Sequence, residues 1–333
     1  MKQSLAQMLC CPACEGSLVA DNTEERQGEI ESGLLNCVKC QSSYPIERSI
    51  PRFVPAENYA TSFGFQWNQF RQVQLDSYSG TDVSRIRFLN QTKWSPESLE
   101  NTRVLDVGCG AGRFAEVALS FGAEVFAVDY SLAVDACWNN LGPHPQLHII
   151  QGDVYSLPFP KRSFDDVYCF GVLQHTPNVR ETVRMLAQQV RPGGRLVLDV
   201  YPHSPLNCLW PKYWLRPFTK RLPHDRLFQV VQFMVKILLP VSLVLGRCRL
   251  FGISKLKHLI PVANYERVYP LSRRQLYEWS VLDTFDMMAA AYDQPQTAET
   301  LLEWMRQAGC QTKVFRDGVL VGRGVVPQSV NRR

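Results

Sequence analysis

The run Val104-Leu-Asp-Val-Gly-Cys-Gly-Ala-Gly-Arg-Phe114 constrains this chain more than any other stretch. A short apolar segment ends in an acidic residue, and three glycines at alternate positions lead directly into a helix-like segment. Glycine is required at such a corner when a ligand approaches the backbone closely or the turn needs positive φ.

The pattern around it is regular. Residues 103–107 read as a strand and 112–121 as a helix; 124–128 as a strand and 132–141 as a helix. Strands follow at 147–151 and 166–170. A helix at 179–190 stops at Arg191-Pro-Gly-Gly194, and 195–201 is the fifth strand. Strands alternating with helices predict an α/β fold, a parallel sheet covered on both faces. Ligands in such sheets bind at the carboxyl ends of the strands, where the strand order reverses.

Two further carboxylates fall at strand ends. Asp129 ends the second strand and can accept both hydrogens of a ribose diol. Asp153 follows the third and can accept from an adenine amino group. The fourth strand runs into Phe170-Gly-Val-Leu-Gln-His-Thr-Pro177. Any one of these carboxylates alone reads as a helix cap or a surface ion pair; their placement on consecutive strands is what carries meaning.

This order resembles the class I S-adenosylmethionine-dependent methyltransferases over residues 100–201 and again at the C-terminal end. The resemblance implies a Rossmann-like, mostly parallel sheet closed by an antiparallel C-terminal hairpin. It implies that Asp106, Gly108 and Gly110 line the methionine moiety, and that Asp129 takes the ribose. Asp153 and Val154 would hold the adenine, with Phe170, Gly171 and Gln174 flanking the sulfonium. The glycine loop lacks the six-residue dinucleotide spacing, which argues against NAD.

Four of the eleven cysteines form two pairs, Cys11-Pro-Ala-Cys14 and Cys37-Val-Lys-Cys40, with 22 residues between them. Each C-x-x-C turn presents two thiolates to one ion, so the set predicts a structural zinc site. A segment this short builds little core, and metal would supply much of its folding energy. Adjacent Cys10 reads as a buried free thiol or an alternate ligand. The cysteine pairs together with Tyr44-Pro-Ile46 and Ile50-Pro51 resemble a small zinc-ribbon family that activates tRNA and protein methyltransferases as a separate subunit. Glu47-Arg-Ser49 departs from that family's pattern. The resemblance implies a docking or scaffolding role rather than catalysis.

The implied organisation is a zinc ribbon over 1–56, a helical connector over 57–100 and a core over 101–201. A helical lid follows over 202–297, and a helix with a hairpin over 298–326 completes the core. The connector is aromatic-rich and packs on the core; alternatively part of it closes over a ligand, with Tyr59 or Trp67 in the wall. In the lid, residues 227–239 are apolar except for Gln229, Gln232 and Lys236, after which Pro240 interrupts. Lys212, Arg216, Lys220, Arg221 and Arg226 precede this run; Arg247, Arg249, Lys255 and Lys257 follow it. A buried lid helix, an interfacial membrane helix spanning the 212–257 region and a transmembrane span compete. The break at Pro240 and basic residues on both flanks count against the last.

Methyl transfer from a sulfonium is an in-line displacement, and a base is needed only for a hydroxyl or ammonium acceptor. His175 after the fourth strand is the first candidate base and His203 after the fifth is the second. Asp286 could also reach the site. Each has a structural alternative as a cap or packing group. The acceptor favoured by the apolar lid is a small molecule, a hydroxyl of a sugar, lipid or secondary metabolite. RNA is the enzymatic alternative, and a non-catalytic cofactor-binding partner is the other. A formal charge of +5 is too mild to argue for nucleic acid by itself. The N-terminal segment does not resemble a signal peptide, so a cytoplasmic protein, peripheral at a membrane surface in the interfacial reading, is expected.

Overall fold

The computed structural model describes residues 1–26, 28–205, 210–248 and 259–328. Arg249, Lys255 and Lys257 of the basic flank lie outside the described residues. The chain begins with a short helix α1 (Gln3–Met8), then β1 (Leu18–Arg26), β2 (Glu29–Cys37), β3 (Ser43–Glu47) and β4 (Ile50–Pro51), which form an antiparallel sheet in that order. The turn between β3 and β4 uses Arg48 and Ser49 at positive φ, 53° and 64°. The departure at Glu47-Arg-Ser49 is therefore a tight reversal made without glycine.

Three helices come next: α2 (Thr61–Gln69), α3 (Asp76–Ser79) and α4 (Val83–Thr92). The core then alternates β5 (Arg103–Val107), α5 (Arg113–Ser120), β6 (Glu124–Asp129), α6 (Ala133–Leu141), β7 (Leu147–Gln151), β8 (Phe164–Cys169), α7 (Val179–Gln189) and β9 (Val190–Val200). After it come α8 (Pro211–Thr219), α9 (His224–Arg247), α10 (Arg273–Ala289), α11 (Ala298–Gln307), β10 (Gln311–Asp317) and β11 (Val319–Val325). The large sheet has seven strands in the order β10-β11-β9-β8-β5-β6-β7. Its five core strands are parallel, and β11 pairs antiparallel with β9 and β10. This is the Rossmann-like, mostly parallel sheet with an antiparallel C-terminal hairpin that the sequence implies. Strand order reverses between β5 and β8, so the crevice opens there.

Two boundaries differ from expectation. Arg191-Pro-Gly-Gly194 does not separate α7 from a later strand, because β9 starts at Val190. Its ladder to β8 steps from Phe164–Val190 to Asp166–Arg195, so the Pro-Gly-Gly segment is held as a bulge. Pro240 does not end the apolar helix, which continues to Arg247. Pro240 lies on the exposed side, where water can satisfy the Lys236 carbonyl that loses its amide partner.

The small sheet covers the open edge of the large one. Arg52 forms a bridge with Gln151 of β7. Its guanidinium donates to Gln151 Oε1 at 3.0 Å and to Asp135 Oδ1 at 2.7 Å. Phe53 N donates to the Gln151 carbonyl and Cys10 N to that of Pro158. Apolar residues of α1, β1, β2 and β3 share one buried cluster with residues of β5 to β9. An edge that would otherwise offer unpaired amides is thereby closed.

On the opposite face, Phe88 of α4 fastens the connector. It is fully buried among Trp94, Phe114, Phe121, Tyr168 and Phe170. Phe88→Ala is expected to cost about 3–5 kcal/mol of unfolding free energy, measured as a shift in the urea midpoint. A loss under about 1 kcal/mol would show the connector to be loosely held.

Candidate functional site

The crevice at the switch point opens into a cavity of about 1050 Å³. Its floor is the corner after β5. Gly108 and Gly110 have φ of 80° and 53°, which only glycine adopts without strain. A Cβ on Gly108 would stand 2.1 Å from Val172 Cγ2, in the loop after β8. The two loops can approach each other only because that position has no side chain.

Asp129 stands in the wall at the end of β6. Its Oδ2 accepts from Gly110 N at 3.0 Å and its Oδ1 from Ser131 N at 2.8 Å and Ser131 Oγ at 2.7 Å. Burial pushes its pKa up, opposed by these hydrogen bonds. Gly108, Gly110, Val154, Phe170 and Gly171 also line the cavity. Three residues assigned to the cofactor do not. Asp106 lies behind the glycine corner, 2% exposed, and burial raises its pKa to about 8. The Asp153 carboxylate sits beside the wall and accepts from Tyr155 N, capping a short turn. Gln174 is wholly buried; its Oε1 accepts from Tyr201 N and its carbonyl from Gln294 N. Asp153 and Gln174 serve the loops that frame the cavity.

The connector supplies much of the opposite wall. Tyr59, Phe63, Gln66 and Trp67 all line the cavity, so the segment that packs on the core also forms part of the cavity wall. Tyr59 stacks on Tyr130 at 4.7 Å. Gln66 Oε1 is buried with no partner, an acceptor awaiting a donor. Gln66 had no assigned role; its signal in the sequence is an amide interleaved with Phe63, Phe65 and Trp67.

The loop after β8 and the helix α10 bring His175 and Asp286 to one side. His175 and Asp286 meet in the wall, with Nε2 3.9 Å from Oδ1, too far for a hydrogen bond. His175 Nδ1 lies 2.9 Å from the Tyr292 carbonyl. A carbonyl only accepts, so Nδ1 carries the proton and Nε2 presents a lone pair. Neither Nε2 nor Asp286 Oδ1 has a partner. Burial raises the Asp286 pKa, opposed first by His175. His203 also lines the cavity but is exposed. A second carboxyl, Asp283, was not foreseen. It lies one turn before Asp286, accepts from Tyr265 Oη, and burial raises its pKa to about 7. Its position inside an uninterrupted helix gave no sequence signal.

Asp199, at the end of β9, locks this arrangement. It accepts from Gly171 N at 2.5 Å and pairs with Arg87 of α4 at 2.6 Å. Connector, β8 loop and β9 are thus tied at one buried carboxylate.

The second site is in the small sheet. The Sγ atoms of Cys11, Cys14, Cys37 and Cys40 all lie within 4.8 Å of one another, with Cys14–Cys37 at 3.4 Å and Cys11–Cys40 at 3.6 Å. A tetrahedral zinc with Zn–S of about 2.3 Å has sulfur–sulfur edges of about 3.8 Å. The thiolates fit that ion. A Cβ at Gly16 would stand 3.0 Å from Cys37 Sγ and 3.2 Å from Cys14 Sγ, so glycine lets the sulfurs converge. A hydrogen bond with the Ser42 hydroxyl holds Cys40 down at about 6, favouring the thiolate. Cys10 stays outside the cluster as a buried thiol.

The purified protein is expected to carry about one zinc per chain by elemental analysis, and Cys37→Ser to lose most of it; full retention would refute the four-thiolate site. Gly108→Ala is expected to weaken S-adenosylmethionine binding by about tenfold or more in calorimetry, with the fold retained by circular dichroism. Unchanged affinity would show the close approach to be dispensable.

Comparison with known proteins agrees with this geometry. Residues 105–198 match the family described as a methyltransferase domain, and residues 2–49 match that of Trm112p-like proteins. A tRNA U34 carboxymethyltransferase of Pseudoalteromonas atlantica is 37% identical over 107 residues, 31% of this chain and 33% of that protein. A mitochondrial ubiquinone biosynthesis O-methyltransferase of Schizosaccharomyces pombe is 32% identical over 131 residues, 38% of this chain and 47% of that protein. The chain thus spans between a third and a half of these relatives. Among solved structures, a complex of the Haloferax volcanii Trm112 methyltransferase activator with a methyltransferase is 14% identical. It covers 80% of this chain and 98% of that one, with a TM-score of 0.45. One polypeptide thus carries both a segment that matches Trm112p-like proteins and a segment that matches the methyltransferase domain family.

Proposed function

We propose that this protein transfers a methyl group from S-adenosylmethionine to a hydroxyl of a small, largely apolar acceptor held in the cavity. The observation that carries the reading is His175 Nε2, buried in the cavity wall with no hydrogen-bond partner among the described residues while Nδ1 is held by the Tyr292 carbonyl. A base so placed suits an acceptor that must lose a proton.

The residues present fit the cofactor. The glycine corner admits close backbone approach, Asp129 offers carboxylate oxygens at the end of β6, and Gln66 Oε1 is an unfilled acceptor in the wall. When bound, S-adenosylmethionine supplies an electrophilic methyl on a sulfonium. The protein's own work is alignment and proton removal. His175 is held by the Tyr292 carbonyl and sits between the rings of Phe63 and Tyr201, at 5.1 and 5.8 Å. It accepts the acceptor's proton at Nε2, and Asp286 stabilises the imidazolium that results. The aromatic wall excludes water from the developing oxyanion.

The relatives divide over the acceptor: one is named for tRNA, another for ubiquinone biosynthesis. They align with little more than a third of this chain, and neither family match reaches the connector or the segment carrying α8–α10. These segments outside both family matches supply the aromatic and largely apolar wall beside His175, and that apolar wall supports the small-molecule reading over RNA.

Methyl transfer to a panel of phenols, lipid hydroxyls and bulk tRNA separates these classes. His175→Ala is expected to lower turnover by about 10²–10⁴ while calorimetric affinity for S-adenosylmethionine stays within a few-fold. Unchanged turnover would remove His175 as the base. Tight binding without transfer to any acceptor would favour the non-catalytic reading.

A further inference from the structure

The helix α9 is divided along its length. One stripe, Leu227, Val231, Val235, Leu239 and Ser242, is buried and packs on α10 through Val281, Phe285 and Met288. The other stripe, Val230, Phe233, Ile237, Val241 and Val244, is apolar and exposed, with Phe233 at 65% and Val244 at 68%. This helix is long and apolar enough to cross a membrane, yet only 28% of its most apolar window is buried. A core helix would be mostly buried. A spanning helix would have to leave α10, which it contacts from Leu227 to the Gln232 carbonyl, bonded by Tyr277 Oη, and beyond.

Charge selects the occupant of this outer face. Arg226, Lys236 and Arg247 are exposed on α9, and Lys220 and Arg221 precede it. No aspartate or glutamate occurs from Arg226 to Cys248. Apart from Asp225 in the first turn and Glu266, which pairs with Arg247, the charges beside this stripe of aliphatic and aromatic residues are cations, as at the boundary between acyl chains and anionic headgroups. The preceding helix α8 also turns an exposed aromatic, Phe218, outward at 71%, and Trp210 at its start is both half-exposed and part of the cavity wall.

We propose that the outer face of α9 seats this protein on an anionic lipid bilayer, with α9 lying in the plane of the surface. The cavity is then reached along α8 from the lipid side, and its acceptor is a hydroxyl compound dissolved in the membrane. The access route rests on the methyltransferase reading above; the seating does not.

The test is co-sedimentation of the full chain with phosphatidylglycerol–phosphatidylcholine vesicles, and with phosphatidylcholine vesicles alone, at low and high salt. Binding to the anionic vesicles at low salt is expected, weakened by salt and by omission of phosphatidylglycerol. The double variant Phe233→Asp/Ile237→Asp should lose binding on the order of tenfold or more, and Lys236→Glu should lose it partially. Circular dichroism and S-adenosylmethionine calorimetry on each variant separate loss of seating from loss of fold or of cofactor binding. Wild-type protein remaining in the supernatant at low salt would overturn the proposal, with the methyltransferase reading intact. Equal binding by the double variant would overturn it too. A concentration-dependent dimer that the double variant dissolves, without vesicle binding, would assign the face to a second copy of the chain.

Discussion

Everything at the cavity depends on the contact between Gly108 and Val172. The loop after β5 and the loop after β8 meet at the one place where the sheet's order reverses, and no side chain at position 108 could stand between them. That contact sets the depth of the crevice. Gly110 then turns its amide to Asp129, which fixes β6 relative to the corner. Asp199 fixes Gly171 from the other side. A carboxylate at each flank therefore holds a backbone amide of each loop. The floor is preorganised by hydrogen bonds that exist before any ligand arrives.

The other half of the cavity is built from segments outside the core alternation. α2 contributes an aromatic wall and one unsatisfied amide oxygen; α10 contributes Asp283 and Asp286. Two carboxyls one turn apart on a buried helix are costly, and both have raised pKa values because the surroundings exclude water. Tyr265 bonds one of them. The other faces His175 across a gap wide enough to leave both groups unbonded.

The sheet was legible because its signals are local. Alternating segments of two periods, punctuated by glycine and proline, report strands and helices directly, and the cysteine spacing reports its ligand set. The carboxylates were legible only as a group. Asp129 stands in the wall, whereas Asp106 is buried behind the glycine corner, Asp153 caps the turn after β7 and Gln174 bonds Tyr201 N, because side-chain direction depends on strand alternation and on the turn that follows. The same limit applied to Pro240. Sequence marks it as a helix breaker, yet on the solvent side the helix carries it. The pairing of His175 with Asp286 brings together residues 111 positions apart, a product of how α10 packs against α2, α8 and α9.

The contact of Arg52 with Gln151 and Asp135 has a further consequence. In a two-subunit arrangement, a ribbon resting on the sheet edge would come and go with protein concentration. Here the docking surface is tethered to the strand it covers, so its occupancy is an intramolecular equilibrium that dilution does not alter. Gln151 lies two residues before Asp153, at the corner beside Val154 in the cavity wall. The thiolate cluster is thereby joined to the cavity rim at fixed stoichiometry in every molecule.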